Sequence, residues 1–372
     1  MSADALEEIP AARPLIGADE RRAVDAVLAS GQLTQGPEVA AFERDFAATL
    51  LDGRPVVAVN SGTAALHLAL LALGIGAGDE VIVPSFTFAA TANAVRLVGA
   101  TPVFVDIEPS TFCIAPSAVE RAITPRTRAV VPVHLYGHPA DMTAVGALAH
   151  ANGLLVIEDA AQAHGARWVG RRVGCLGDAG VFSLYPTKNM TSAEGGMVAV
   201  ASPRTERTVR LLRNQGMAQR YANEIVGFNA RMSDVHAAIG RAQLRKVLTW
   251  TAQRQANAAY LSGELTGVVT PVVHPEAEHV FHQYVVRVPE DRDGFVAALR
   301  TEYGIGAGVY YPTPVHRLPS FVDASVDRSA LVETDRAAAE VVALPVYPTL
   351  TLRELDRIVH AVSTLAAAGG AR

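Results

Sequence analysis

The sequence predicts an α/β fold: a large domain built on a mostly parallel sheet with helices on its faces, followed by a smaller C-terminal α+β domain. Two observations carry this expectation. Short β-rich apolar runs alternate with helical segments through roughly the first two-thirds of the chain, the pattern of strands joined by crossover helices. The chain also has 372 residues, 50% of them hydrophobic, which is enough for a large core and a second, smaller one.

A helix over 18–30 precedes the sheet-forming region and is free to pack elsewhere. Strands are expected at 55–59, 80–84, 102–105, 129–133 and 154–157, with helices at 63–73, 89–98 and 141–152. Apolar runs at 181–184 and 197–200 add two further strands. From Ser233, a candidate N-cap, to about 265 the pattern is that of one long helix. Beyond Gly267 a strand at 282–288 and helices at 293–302 and 352–366 mark the smaller domain. The boundary is placed near Ala256, giving a large domain of 1–255 and a small one of 256–372.

Composition excludes several classes of function. The net charge is −5 and no block of like charge occurs, so nucleic acid is not an expected partner. The acidic start, 1–10, has no basic stretch followed by an apolar run, so no secretory signal is expected. The most apolar stretch, 64–75, is too short to span a bilayer, and no membrane partner is expected. Two distant cysteines, Cys113 and Cys175, fit a reduced cytoplasm and no disulfide framework or zinc site. Of 32 basic residues only Lys188 and Lys246 are lysine. Arginine stays protonated and cannot form an imine, so a lysine kept in such a composition is a candidate reactive amine. Lys246, in Gln243-Leu244-Arg245-Lys246, reads as a helix-surface residue kept by chance.

Three segments carry chemistry. In Val57-Ala-Val-Asn60-Ser61-Gly62-Thr63 a strand runs into a glycine turn that opens a helix, whose free N–H groups suit a phosphate. Taken alone, an ordinary capped turn is the better explanation. In Leu154-Leu-Val-Ile-Glu158-Asp159-Ala-Ala-Gln162 an apolar strand ends in two carboxylates, and strand ends are where ligands bind in open α/β sheets. Asp159 is positioned to neutralise a pyridinium N–H and Gln162 to reach a ring substituent, unless Asp159 merely caps the next helix. In Val181-Phe-Ser183-Leu-Tyr185-Pro-Thr187-Lys188, a strand delivers Ser183 and a turn delivers Lys188; Ser183 and Thr187 are further phosphate candidates. Together the three supply a phosphate cradle, a ring-nitrogen carboxylate and a Schiff-base lysine, the set that pyridoxal 5'-phosphate requires.

These segments resemble the DegT/DnrJ-type nucleotide-sugar aminotransferases. The likeness rests on Asn-Ser-Gly-Thr-Ala-Ala-Leu-His at 60–67, Gly-Asp-Glu-Val-Ile-Val-Pro-Ser-Phe-Thr-Phe at 78–88, Pro-Val-His-Leu-Tyr-Gly at 132–137, Glu-Asp-Ala-Ala-Gln-Ala-His-Gly at 158–165 and Phe-Ser-Leu-Tyr-Pro-Thr-Lys-Asn at 182–189. Gly-Phe-Asn-Ala-Arg-Met at 227–232 and Tyr-Tyr-Pro-Thr-Pro-Val-His at 310–316 extend it, so that it covers nearly the whole chain. The resemblance implies the aspartate-aminotransferase fold (fold type I). It also implies Lys188 as the Schiff-base lysine, Asp159 as the pyridinium partner, Gln162 near the phenolic oxygen and Phe88 stacked on the ring. Gly62, Thr63 and Ser183 match phosphate ligands, and Asn229 matches one supplied by the neighbouring subunit of a homodimer with shared sites. Relatives that dehydrate sugars carry His at the lysine position, which Lys188 argues against. An aromatic is common where Ala230 stands.

The expected activity is transfer of an amino group from an amino acid, L-glutamate by resemblance, to a keto-sugar. The sugar is expected to be nucleotide-linked and of the 4-keto-6-deoxy type, because Thr191-Ser-Ala-Glu-Gly-Gly looks like C4-aminating relatives. The alternatives are a 3-keto-sugar or a keto-inositol, in polysaccharide or antibiotic sugar biosynthesis, and, from another class, a cofactor-binding regulator without turnover. Tyr311 and His316 are candidate substrate contacts, with packing between domains as the competing explanation. His274, His279 and His282 lack a partnering carboxylate pattern and are set aside as metal ligands. Gly74-Ile-Gly76-Ala-Gly78 precedes a strand and reads as a turn, not as a dinucleotide loop.

Overall fold

The computed structural model describes residues 7–288, 290–321 and 331–369. Residues 1–6, part of the start searched for a secretory signal, lie outside the described residues. Seven strands form the central sheet: β1 (Val56–Val59), β2 (Glu80–Pro84), β3 (Thr101–Val105), β4 (Thr127–Val130), β5 (Leu155–Asp159), β6 (Ala179–Ser183) and β7 (Gly196–Val200). Their order across the sheet is β1-β7-β6-β5-β4-β2-β3. Neighbours from β6 to β3 are parallel. Strand β7 runs against both β6 and β1, so β1 points the same way as β6. The reversal comes from the connection: 184–195 contains no helix that could cross over, and a short return gives an antiparallel pair.

Every residue of β1 and β2 is buried, as expected for strands covered on both faces. Alternate residues serve different cores. Val57 and Val59 pack with Leu66 and Leu70 of the helix Gly62–Ala72, whereas Val56 and Ala58 pack with Phe42 and Phe46 of the helix Pro37–Leu50. The helix Pro37–Leu50 starts at a proline but has no capping side chain of its own. Its N-cap is Gly36, and the capping oxygens come from Asp234, which accepts from the N–H groups of Gly36 (2.7 Å) and Val39 (3.3 Å).

The stretch expected as one long helix is two, Asp234–Leu244 and Val247–Glu264. Ser233 is the N-cap, its Oγ accepting from the His236 N–H at 3.2 Å. At the break the Lys246 ammonium pairs with Glu20 at 2.8 Å and Asp19 at 3.0 Å, and the Gln243 amide donates to the same Glu20 at 2.8 Å. Lys246 is therefore a tether for the N-terminal helix Ala18–Ser30, which packs along Asp234–Leu244. Its role is decided by contacts more than 200 positions away, which composition does not reveal.

Beyond the break, β8 (Tyr284–Arg287) pairs antiparallel with β9 (Val341–Leu344). Tyr284, Val286, Val342 and Leu344 form a separate core with Leu299, Ile358 and Val362 of the helices Arg292–Tyr303 and Leu352–Gly369. The helix Val247–Glu264 joins the two: Val247 lies in the core beneath the sheet, Ala258 and Leu261 in the core around β8 and β9.

Candidate active site

The carboxyl ends of β1, β2, β5 and β6 open on one edge of the sheet, and the chemistry-bearing residues gather there. After β1, Ser61 caps the helix Gly62–Ala72 by accepting from the Ala64 N–H at 3.1 Å. The turn is thus a capped turn, and it is also a close approach. A Cβ on Gly62 would lie 2.8 Å from the Ser183 Cβ, and one on Gly196 would lie 2.4 Å from the Ser61 carbonyl oxygen. Only glycine at both positions lets the turn cross the end of β7 and bring the helix N-terminus against Ser183. The first N–H groups of a helix have no intrahelical partner, and here those of Gly62 and Thr63 open beside Ser183.

The two carboxylates that end β5 have different tasks. Glu158 is fully buried and accepts from the backbone N–H groups of Gly174 (2.7 Å), Leu176 (2.6 Å) and Gly177 (2.8 Å), and from His134 Nε2 at 3.1 Å. Burial opposes its ionisation, but His134 and these N–H groups together hold its carboxyl below the usual range. It anchors the loop after β5. Asp159 points its Oδ1 at the Ala161 N–H (3.1 Å) and its Oδ2 at the Thr91 hydroxyl (2.8 Å). Burial pushes its pKa up, while Thr91, Ala161, Lys188 and His134 oppose the shift. Asp159 therefore does cap the turn after β5, yet it remains a buried carboxylate whose ionisation the charge of Lys188 favours.

Lys188 sits on the turn after β6, its N–H donating to the Tyr185 carbonyl at 3.0 Å. The turn is pinned from behind. Asn189 donates to the Val280 carbonyl (3.0 Å) and meets His282 Nδ1 (3.3 Å), and Thr191 donates to the Leu184 carbonyl (2.9 Å). Burial lowers the Lys188 pKa to about 8, with Asp159 acting in the opposite direction. His164, edge-on to Phe46 and tilted against Phe182, is kept neutral by burial, which together with Lys188 brings its pKa down to about 3. His282, also buried, shifts the same way.

Gln162 accepts from the Tyr136 N–H at 2.6 Å and donates to the Tyr311 hydroxyl at 3.0 Å. Burial raises the Tyr311 phenol well above its usual pKa, and the nearby Asp159 charge adds to this. The Phe88 ring lies 5.9 Å from that of Tyr311 at an angle of 34° and is 58% exposed, an aromatic face open at the mouth of the site. The fold thus brings Gly62 and Ser183 together, and Asp159, Lys188, Gln162, Tyr311 and Phe88 together.

Two expected residues stand apart. His316 is buried at the end of β2, where its Nδ1 meets the Ser85 hydroxyl at 2.6 Å and its Nε2 lies 3.9 Å from Asp335. Asn229 is exposed and does not cap a helix, since Ser233 does. Its segment runs beside the end of β1, where Ala230 accepts from the Asn60 N–H at 3.0 Å. Thr187 is exposed on the lysine turn. Sequence reasoning passed over Thr87 and Thr91, because Thr87 precedes the helix Ala90–Leu97 and only the fold of that turn brings the two hydroxyls to 3.2 Å. It also passed over the His134–Glu158 pair. Among the described residues no group of three or more His, Cys, Asp and Glu side chains is arranged to hold a metal ion.

Residues 14–363 match the model of the DegT/DnrJ/EryC1/StrS aminotransferase family. The chain is 43% identical over 364 residues (97% of this chain, 98% of the relative) to the erythromycin biosynthesis sensory transduction protein EryC1 of Saccharopolyspora erythraea. It is 43% identical over 359 residues (95% of this chain, 94% of the relative) to the dTDP-3-amino-3,4,6-trideoxy-alpha-D-glucose transaminase of Streptomyces venezuelae. Among solved structures, S. venezuelae DesV in complex with a ketimine intermediate superposes with a TM-score of 0.89 at 43% identity, covering 94% of each chain.

Proposed function

The chain belongs to the DegT/DnrJ/EryC1/StrS aminotransferase family, and from that premise we propose that it moves an amino group from L-glutamate to a nucleotide-linked 3-keto-sugar, using the site around Lys188. It is a pyridoxal-phosphate-dependent sugar aminotransferase. The observation that carries the assignment of the site is a buried carboxylate, Asp159, close enough to Lys188 for each to shift the other's ionisation, at the same sheet edge where Gly62 closes on Ser183.

These residues fit the cofactor. Gly62, Thr63 and Ser183 would hold its phosphate, Asp159 would pair with its ring nitrogen, Gln162 with Tyr311 would serve its ring edge, and Phe88 would cover its face. When bound, pyridoxal phosphate supplies an aldehyde that condenses with amines and a cationic ring that takes up electrons released at a substrate α-carbon. Lys188 Nζ, with a pKa near 8, is neutral in roughly a tenth of molecules at pH 7, far more than an unperturbed lysine. As the free amine, Lys188 Nζ would be the group able to condense with the cofactor's aldehyde, and when unbound it would serve as the base for the donor's Cα proton. Asp159, acceptor-only when ionised, keeps the ring nitrogen protonated.

Carbon 3 is preferred because the transaminase relative makes a 3-amino sugar. The turn at 191–196, likened to C4-aminating relatives, commits Thr191 and Ser192 to the carbonyls of Leu184 and Glu194 and offers neither to a substrate. Tyr311 is read as a residue of the site through Gln162, and His316 as an interdomain strut at Ser85. A homodimer is supported by the exposed segment leading to Asn229, where Tyr221 is 80% and Val226 90% exposed. In that arrangement Asn229 completes the partner's phosphate site. The division between a larger and a smaller domain is placed within the helix Val247–Glu264, near Ala256. The cytoplasm is the proposed location; no helix among the described residues is long and apolar enough to cross a membrane.

The test loads the protein with pyridoxamine phosphate and offers 3-keto and 4-keto dTDP-sugars and keto-inositols, following return of the lysine-bound cofactor's absorbance. Return with the 3-keto-sugar alone supports the assignment. A cofactor-binding protein that turns over none of them would instead match the sensory role in the name of the EryC1 relative.

A further inference from the structure

Asp159 has a buried hydroxyl partner that the activity as described leaves unused. Thr91 Oγ1 lies 2.8 Å from Asp159 Oδ2, and Thr87 Oγ1 lies 3.2 Å from Thr91 Oγ1. All three residues are buried. An ionised carboxylate only accepts hydrogen bonds, so Thr91 must donate to Asp159. Thr91 then has only lone pairs to offer Thr87, which must be the donor to it. The chain Thr87→Thr91→Asp159 therefore has one direction. Both threonines come from one segment: Thr91 opens the helix Ala90–Leu97, its N–H donating to the Phe88 carbonyl at 3.2 Å, and Thr87 stands four residues earlier. That segment turns Phe88 outward while it turns its neighbour Thr87 inward, so ring cover and carboxylate support are delivered together.

We propose that Thr91, oriented by Thr87, is a positioning residue that fixes the Asp159 rotamer and keeps the proton shared between Asp159 and the cofactor on the ring nitrogen. This rests on the reading that Asp159 meets that nitrogen. The physical reason is basicity. Burial makes Asp159 a stronger base, and the groups that counter it are the Thr91 hydroxyl, the Ala161 N–H, Lys188 and His134, with Tyr311 the other titratable group that senses its charge. The lysine's charge comes and goes as its nitrogen titrates, and His134 is committed to Glu158. Of the hydrogen bonds, the Ala161 N–H serves Oδ1, which leaves Thr91 as the donor at Oδ2. Without that donor the carboxylate becomes more basic, the shared proton moves toward it, and the ring loses part of its positive charge.

The experiment compares holoenzymes of T91V, T91S and T87V. Valine keeps the shape of threonine and removes the hydroxyl, while serine keeps the hydroxyl. The readouts are the pH midpoint at which the bound cofactor's absorbance changes, and kcat and KM for the amino donor. In T91V a less cationic ring makes the lysine-bound nitrogen more basic, so the midpoint should rise by about one unit and kcat fall about 10-fold or more, as for loss of a hydrogen bond to a charged group. KM should change little, T91S should behave as wild type, and T87V should shift the same way by less. Should T91V fail to fold, T87V carries the same comparison. An unmoved midpoint in T91V, or T91S as impaired as T91V, overturns the proposal, and an unmoved midpoint in T87V overturns the relay. Combining T91V with D159N separates the two readings, because the threonine change should have no further effect once the carboxylate is gone. If D159N itself keeps wild-type turnover and midpoint, it is the assignment of Asp159 that fails.

Discussion

Gly62 lies so close to Ser183 that a Cβ on the glycine would come within 2.8 Å of the serine Cβ and 3.1 Å of its hydroxyl. The contact joins the helix N-terminus after β1 to the end of β6, two segments separated by β7. Gly62→Ala should therefore push Ser183 out of the cradle while leaving Lys188 in place. Cofactor affinity, measured by equilibrium dialysis of the apoprotein, should fall roughly 10-fold or more, the scale of one lost hydrogen bond to a charged phosphate. Unchanged affinity would place the phosphate elsewhere.

Lys188→Arg keeps a positive charge and removes the attacking amine. The purified variant should lack the yellow colour of a lysine-bound cofactor, and turnover should fall at least roughly 10²–10⁴-fold. Borohydride treatment of the wild type should fix the cofactor to Lys188. An adduct mapped to Lys246 would contradict the site, and Lys246 is already paired with Asp19 and Glu20.

The lowered Lys188 pKa makes a pH prediction. Capture of pyridoxal phosphate by the apoprotein needs the neutral amine, so its rate should rise with pH and level off above about 8, not above the usual lysine value. The same shift sets the sign of the effect on stability. Between about 8 and the unfolded-state value, the unfolded chain holds a proton that the folded apoprotein has released, so the lysine's contribution to stability increases with pH across that window and is least favourable below it. Stopped-flow capture rates from pH 6 to 10 check the first statement, and thermal melts of the apoprotein check the second.

Asp159→Asn should bind the cofactor, because the phosphate contacts remain, and should be nearly inactive, because a neutral amide does not hold a cationic ring. Turnover in a coupled assay at saturating cofactor is the measurement. Wild-type rates would show that another group performs this task.

Complementation tests the shared site. Lys188→Ala and Asn229→Asp should each be inactive or weak alone, the second because it sets a carboxylate against the phosphate. After subunit exchange, a mixed dimer has one site with both native residues and should recover activity. No recovery despite proven exchange would mean that Asn229 serves its own chain or no site at all.

The sequence by itself determined the strands of the sheet, the helices Gly62–Ala72, Ala90–Leu97 and Met142–Asn152 and the local chemistry of each strand end, whereas the helices Pro116–Ala122 and Pro203–Arg213 were not expected. Apolar runs set β1, β2, β5 and β6 close to where they lie, and Lys188, Asp159 and Gln162 stand at their carboxyl ends because chain order and strand direction put them there. What depended on distant partners was not legible. The helix Pro37–Leu50 borrows its cap from Asp234, the expected long helix breaks where Lys246 reaches the acidic N-terminal helix, and β7 reverses because its loop is short. Only the tertiary structure separated the adjacent carboxylates Glu158 and Asp159, one sealed among backbone N–H groups and the other left where the charge of Lys188 favours its ionisation, since a side chain's role is set by the donors that surround it and not by its place in a motif.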